Sequence, residues 1–454
     1  MYRNVVNDLA SWYEEPKRKI LYIKGALGVG KTWAIKDFAT GFFESYIYID
    51  LNKEEEIKNY ISLNNLEPSC KKTIAGEDFP LENQGIKELI KIEISRLDNL
   101  LSARYAIEDI SKCLLIFDNA EGLSNIDIFF HEYSRTHAHC SVCVVASTME
   151  VSPYQYHYKD VFKIIRMRPM SFEEYLIAKK AHPLLAAISN NKSMPLKPFE
   201  EKSIHTLLKE YLLIGGMPEI VNNFIKHKDF SVIRKLQNKI IKSYEYIIYH
   251  NLSSAMTQRT RRIWKSVPSQ LERDNKKFMY KYAEPNARAR EYAEATQILC
   301  NLGFVRKLPR LLNGRLPLEE NADYKSFELF FIDHGLLRAM FDLPVDENLT
   351  LLDIFNEKNG AIAEQYIFQE LSNKLGYLYY WISGATARVP FVYESDKAAI
   401  PVDIQFVPRK KAQNIKVFTA KNENTDISLK ISLEQVSLDK SVLNVPAYSL
   451  WTLI

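Results

Sequence analysis

The chain has few cysteines, no long apolar run and little net charge, and each shortage excludes something. Five cysteines among 454 residues cannot build a disulfide framework, which favours a reducing compartment. No stretch approaches the ~20 apolar residues that a helix needs to cross a bilayer. The first residues, Met1 to Asp8, have early polar and acidic side chains in place of an apolar core, so they do not read as a secretory leader. The expectation is a cytoplasmic protein with no membrane partner. A formal net charge of +4 is too mild to imply a nucleic-acid partner by itself. An apolar fraction of 46% with 26% charged residues is ordinary for a globular protein, and the length suggests about two to four domains.

What is present centres on Gly25-Ala26-Leu27-Gly28-Val29-Gly30-Lys31-Thr32, which fits the Walker A spacing Gly-x-x-x-x-Gly-Lys-Ser/Thr. Ile20 to Ile23 before it reads as a buried strand. Ala34, Ile35, Phe38 and Ala39 after it fall at helical spacing. Glycines let the backbone turn its N–H groups inward around an anion, and the following helix adds its positive end. Lys31 is expected on the β- and γ-phosphates of ATP, and the Thr32 hydroxyl on Mg²⁺.

Val5, Leu9 and Trp12 share one helical face ahead of this strand. Tyr46–Asp50, Cys113–Phe117, Ser141–Ala146 and Val161–Ile165 are the further strand candidates, separated by helical or polar stretches. That alternation implies a parallel sheet over residues 1–165, with its ligand at the C-terminal strand ends. Asp118 ends one apolar strand, where a carboxylate completes a Mg²⁺ shell with Thr32. Many ATPases place a glutamate next, to polarise the attacking water, but this chain has Asn119. An amide cannot take a proton, so slow turnover is expected unless Glu121 reaches the water. Ser147 or Thr148, after the following strand, would sense the γ-phosphate, or else satisfy backbone. Cys140 and Cys143 have half the spacing of a zinc site but no second pair nearby, and read as core.

Residues 166–240 read as a helical subdomain, with a loop at 183–200 and a break at Gly215-Gly216-Met217-Pro218. Between residues 256 and 290 ten Arg and Lys face only Glu272, Asp274 and Glu284, with Phe278, Tyr280 and Tyr282 interleaved. A helix at 286–302 follows, then Phe304–Leu308 and Arg315–Leu318 across Asn313-Gly314, a hairpin signal. Helices followed by a hairpin make a winged-helix-like module over 241–345. Its basic side chains would contact duplex DNA, or form a solvated face or a docking surface. From 346 onward the pattern is a helix (Asn359–Leu375), strands at Leu378–Ile382, Arg388–Tyr393 and Ala399–Phe406, and a helix opening at Pro408.

Several separated motifs together resemble the prokaryotic AAA-type ATPases that carry a C-terminal restriction-endonuclease-like domain of unknown function. Besides Gly25–Thr32 and Leu115–Asp118, these are Arg168-Pro-Met-Ser-Phe-Glu-Glu-Tyr175, Gly215-Gly-Met-Pro-Glu219, Val267–Leu271 with Asn275–Phe278, and Phe330-Phe-Ile-Asp-His-Gly-Leu336. The resemblance implies a helical lid whose Gly216 and Pro218 approach the adenine, a winged-helix segment, a nuclease-like end domain, and a homo-oligomer, since related ATPases often take an arginine from a neighbouring subunit. Where the family commonly shows Glu-Val-Asp-Phe and Glu-Val-Lys, this chain has Arg388-Val-Pro390-Phe391 and Asp403-Ile-Gln405. Pro390 offers no ligand and Gln405 no charge, which leaves Glu364 and Asp403 as a poor metal site. The combined expectation is an α/β protein: a parallel-sheet P-loop domain at 1–165, a lid at 166–240, the winged-helix-like module, and an inactive nuclease-like domain at 346–454. It would bind ATP and Mg²⁺ as a slow ATPase or nucleotide switch. The alternatives are an ATP-regulated DNA-binding regulator and an ATP-dependent nuclease.

Overall fold

The computed structural model describes residues 2–65, 83–105, 112–150, 159–191, 194–250, 252–384, 387–395, 398–406, 413–422, 425 and 427–453. The helix expected to open at Pro408 begins outside these. The chain divides into two units: Arg3–Met167 with Asn301–Gly303, and Met1–Tyr2 with Arg168–Cys300 and Phe304–Ile454.

The first unit is built on a five-stranded sheet ordered β2-β3-β4-β1-β5, with β1 at Ile20–Lys24, β2 at Ser45–Asp50, β3 at Cys113–Asp118, β4 at Ser141–Ala146 and β5 at Phe162–Arg166. Every pairing is parallel. β1, β3 and β4 are buried along their whole length, which is why they read as unbroken apolar runs: helices cover both faces. Helix α1 (Val5–Tyr13) buries Val5, Leu9 and Trp12, as its spacing requires. Ile90, Ile94, Leu97 and Leu101, on one stripe of the helix Gln84–Tyr105, sink into the sheet's core; each fully buried side chain contributes roughly 1.5–3 kcal/mol. β1 lies between β4 and β5, while the chain leaves it through helix α2 (Lys31–Phe42) for β2 at the far edge. The C-terminal ends of β1, β3 and β4 therefore bring Lys24, Asp118 and Ala146 to one side of the sheet, where open α/β sheets hold their ligands.

The second unit is helical as far as residue 300 and then forms a mixed eight-stranded sheet, ordered β12-β13-β11-β10-β9-β8-β6-β7. Its strands are β6 (Val305–Leu311), β7 (Ala322–Phe331), β8 (Tyr379–Ser383), β9 (Ala387–Ser395), β10 (Ala398–Ile404), β11 (Ser428–Ser432), β12 (Ser437–Asp439) and β13 (Val442–Pro446). Three expectations change here. Residues 182–190 are a helix rather than part of a loop, because Pro183 sits in the first turn, where its missing N–H costs nothing. The hairpin's second arm is β7, not Arg315–Leu318: Gly314 N donates to Asn422 Oδ1 at 2.5 Å and Asn313 Oδ1 accepts from Arg315 N, so Asn313-Gly314 serves a long loop. The helix expected over Asn359–Leu375 is the second of two joined at a break: residues 357 to 360 leave the helical backbone, 358 to 360 with positive φ, and a further helix opens ahead of them at Leu351. β6 also pairs in parallel with β8, so the hairpin and the C-terminal strands form one sheet.

The motifs that sequence alone left without a role meet inside this unit. Ser171 and Glu174 cap the helix Phe172–Ala178 reciprocally. Met170 N donates to Gly216 O at 2.7 Å, and Gly216 N donates to Asp333 Oδ2 at 2.7 Å. His334 is buried, with its ring between Tyr211 O and Gln369 Oε1.

Candidate functional site

Gly28 and Gly30 take φ of 86° and 92°, backbone that only glycine adopts without strain. Gly25 is needed for room: a Cβ there would meet Met167 O at 2.5 Å. Arg3, itself buried, donates to Val29 O at 2.6 Å and braces the loop from below. Lys31 folds back into this cradle. Its Nζ donates to Gly25 O at 3.0 Å, Ala26 O at 2.9 Å and Ser147 Oγ at 3.1 Å. Burial lowers its ammonium from 10.5 to about 8, against the pull of Glu121 and Asp118. A buried cation held by carbonyls and a hydroxyl is poorly compensated, and a phosphate would compensate it fully.

Thr32 Oγ1 donates to Asp118 Oδ2 at 2.6 Å. This hard-oxygen pair at the loop suits Mg²⁺. The same carboxylate accepts the Tyr48 hydroxyl at 2.9 Å. Burial and that carboxylate push the Tyr48 phenol well up, so it stays a donor. Lys36 Nζ lies 3.2 Å from the Tyr48 ring centroid. Asn119 has φ of 60°, a turn that asparagine tolerates. Its N–H donates to Asp118 Oδ1 at 2.8 Å and its Nδ2 to Asp50 Oδ1 at 2.6 Å. Burial would raise the Asp50 carboxyl, but the hydrogen bonds from Asn119 and Asn52 N, with Lys53 beside it, hold it below the ordinary value.

Glu121 is exposed, and its Oε2 accepts from Ser147 N at 2.8 Å. Ser147 and Glu121 are thus brought beside Lys31. Thr148 is not: its hydroxyl donates to Asn301 O at 3.0 Å and accepts from Glu150 N, so the two candidate hydroxyls narrow to Ser147. Gly216 and Pro218 belong to the other unit, Gly216 hydrogen-bonded as described and Pro218 in the first turn of the helix Pro218–His227. Cys143 is core in β4, its thiol pushed up by burial. His137 Nε2 lies 3.1 Å from Asp98 and its ring stacks on Tyr133.

Sequence reasoning missed Arg3, Tyr48 and Asp50. For Asp50 a signal existed, since β2 ends in an acid as β3 does. Its meaning depends on β2 lying beside β3 with Asp50 opposite Asp118, which spacing does not reveal.

Loop, strand order and the Thr32–Asp118 pair define a P-loop domain of the AAA type. Residues 17–176 match the sequence model of a family described as an AAA domain, and residues 205–347 match a domain of unknown function (DUF8612). AAA domains generally bind ATP with Mg²⁺, and the donors at Lys31, Thr32 and Asp118 fit both. No curated protein matches the chain. Among solved structures, one similar chain is Caenorhabditis elegans PCH-2, at 14% identity and a TM-score of 0.28, over 48% of this chain and 58% of that one. Another is from Drosophila ORC bound to DNA, at 12% identity and a TM-score of 0.27, over 75% of this chain and 95% of that one. The chain thus spans less than two thirds of the PCH-2 chain. Among the described residues no helix is long and apolar enough to cross a membrane.

Proposed function

We propose that this is an ATP- and Mg²⁺-binding AAA-type protein of the prokaryotic cytoplasm that hydrolyses ATP slowly and acts as a nucleotide switch on its C-terminal segments. The observation that carries the reading is Lys31, buried in a formed cradle beside the Thr32–Asp118 pair, with an amide at position 119 in place of a base. Lys31 and Thr32 bind the phosphates and Mg²⁺, Asp118 completes the metal shell, and Ser147 reports the γ-phosphate. Gly216 and Pro218, in a lid over 166–240, are the adenine contacts of this reading, and a second copy of the chain is its proposed partner in a homo-oligomer. Lys31→Ala is expected to abolish tight ATP binding while the far-ultraviolet dichroism shows the chain still folded; unchanged ATP affinity defeats the assignment.

The end domain, 346–454, is read as a nuclease-like fold without nuclease activity. Support comes from buried ions that it shares with the segment before it. Arg388 in β9 forms bidentate contacts with Glu328 of β7 and Glu364 at 2.8–3.2 Å, and Lys276 Nζ lies 3.3 Å from Glu364. Burial opposes charge on Glu364, but Arg388 and Lys276 outweigh it and hold the carboxyl down at about 2. A carboxylate already neutralised by two cations is a poor metal ligand.

One observation favours a second reading, DNA-binding regulation through a winged-helix-like module at 241–345. Arg261 and Lys265 stand exposed on one face of the helix Ser254–Leu271, and Lys281 and Arg288 are exposed beyond it. None of the four pairs with a carboxylate among the described residues, whereas Arg262 pairs with Glu284. Unpaired cations on one face suit duplex phosphates.

A further inference from the structure

The C-terminal end of β2 carries a carboxylate that neither the phosphate loop nor the metal pair uses. Asp50 is the last residue of β2 and lies opposite Asp118 of β3. Its side chain is 20% exposed. Oδ1 accepts from Asn119 Nδ2 at 2.6 Å and from Asn52 N at 3.1 Å, while among the described residues Oδ2 has Lys53 Nζ, at 3.6 Å.

The other acids of the site are Asp118 and Glu121. Asp118 Oδ2 takes the hydroxyls of Thr32 and Tyr48, and its Oδ1 takes Asn119 N. Glu121 Oε2 takes Ser147 N, and Glu121 is exposed beside Lys31, which makes it the rival base that Glu121→Gln tests. Asn119 is committed through its NH₂ group, which donates to Asp50; its carboxamide oxygen, one residue from the metal-binding aspartate, has no donor among the described residues. A carboxamide oxygen can hold a water molecule by one of its protons, but cannot remove that proton.

We infer that Asp50 supplies the base that position 119 lacks, with Asn119 orienting the water between Asp50 and the γ-phosphate. The inference rests on the ATPase reading above. In the step, the water oxygen forms a bond to the γ-phosphorus while the bond from that phosphorus to the β–γ bridging oxygen breaks. The bridging oxygen leaves on ADP with the electron pair. Asp50 takes the proton of the water and releases it to solvent at its exposed edge, giving ADP, inorganic phosphate and one proton. An acid that reaches across from the neighbouring strand has a less direct approach than a glutamate placed after Asp118, in keeping with slow turnover.

The test is single-turnover hydrolysis of labelled ATP with Mg²⁺ by the full chain, with bound ATP measured in the same samples. Asp50→Asn keeps the shape and the acceptor for Asn119 but not the basicity. It is expected to lower the hydrolysis rate by ~10²-fold or more, the usual worth of a general base, with ATP affinity within about threefold of wild type. Asp50→Glu, which restores the carboxylate, should recover most of the rate. In the Asp50→Asn background, Asn119→Glu should restore hydrolysis by returning a base to the position after Asp118. Wild-type rates in Asp50→Asn, a loss of rate confined to Glu121→Gln, or a wild-type chain that binds ATP without hydrolysing it would each overturn the role of Asp50 and leave the nucleotide site standing. A wild-type chain that binds no ATP would overturn the ATPase reading itself.

Discussion

On the proposed reading, the ammonium of Lys31 would make ATP binding a proton-uptake reaction, and the size of the effect follows from its burial. In the empty site Lys31 titrates at about 8 instead of 10.5, so above pH 8 most molecules hold a neutral amine. The triphosphate binds the ammonium, and its charge returns Lys31 toward or beyond the ordinary lysine value. The sign is therefore fixed: affinity is full below pH 8 and falls as pH rises through the window up to the bound-state value. With a free value of about 8, the empty site is about one-quarter protonated at pH 8.5, so binding takes up roughly 0.8 proton per ATP. From pH 7.5 to 9.5 the dissociation constant should rise ~25-fold, about 2 kcal/mol. Titration calorimetry in two buffers of different ionisation enthalpy reads the proton directly, and the pH series reads the affinity. Over this range ATP keeps its own protonation state, and Lys31→Arg, charged throughout, should lose the pH dependence if it still binds. The same displacement costs the empty fold about 3 kcal/mol below pH 8, a cost that fades as pH approaches 10.5. Flat affinity from pH 7.5 to 9.5 with no proton uptake would refute the argument, since Lys31 would then be fully charged before ATP arrives.

Two further outcomes test the second unit. Arg388→Ala leaves Glu328 and Glu364 facing only Lys276, in a site where Glu328 is 1% exposed; a loss of ~3–5 kcal/mol is expected from an uncompensated buried charge, read by denaturant unfolding, and a loss under about 1 kcal/mol would mean that water already reaches the cluster. If the basic face binds duplex DNA, replacing Arg261 and Lys265 together by alanine should reduce the slope of log affinity against log salt by about 2. An unchanged slope, or no DNA binding by the wild-type chain, would return these side chains to an ordinary solvated surface.

The sequence by itself determined the first sheet and the heart of the phosphate site, because both depend on local chemistry. The strands Cys113–Asp118 and Ser141–Ala146 are buried on both faces, so their apolar runs read directly. The glycines and Lys31-Thr32 are fixed by what a short loop must do around a phosphate, and Asp118 by the end of its strand. The tertiary structure decided whatever depends on which strand lies beside which. Asp50 and Asn119 are 69 positions apart in the chain and share one hydrogen bond, a pairing created by β2 lying next to β3. Arg388, Glu328 and Glu364 come from two strands and a helix, and nothing in the spacing of three ordinary charged residues marks them as one buried cluster. The hairpin signal at Asn313-Gly314 misled for the same reason: the loop is held by Asn422, 108 residues away, and a distant partner outweighs the local preference of a dipeptide.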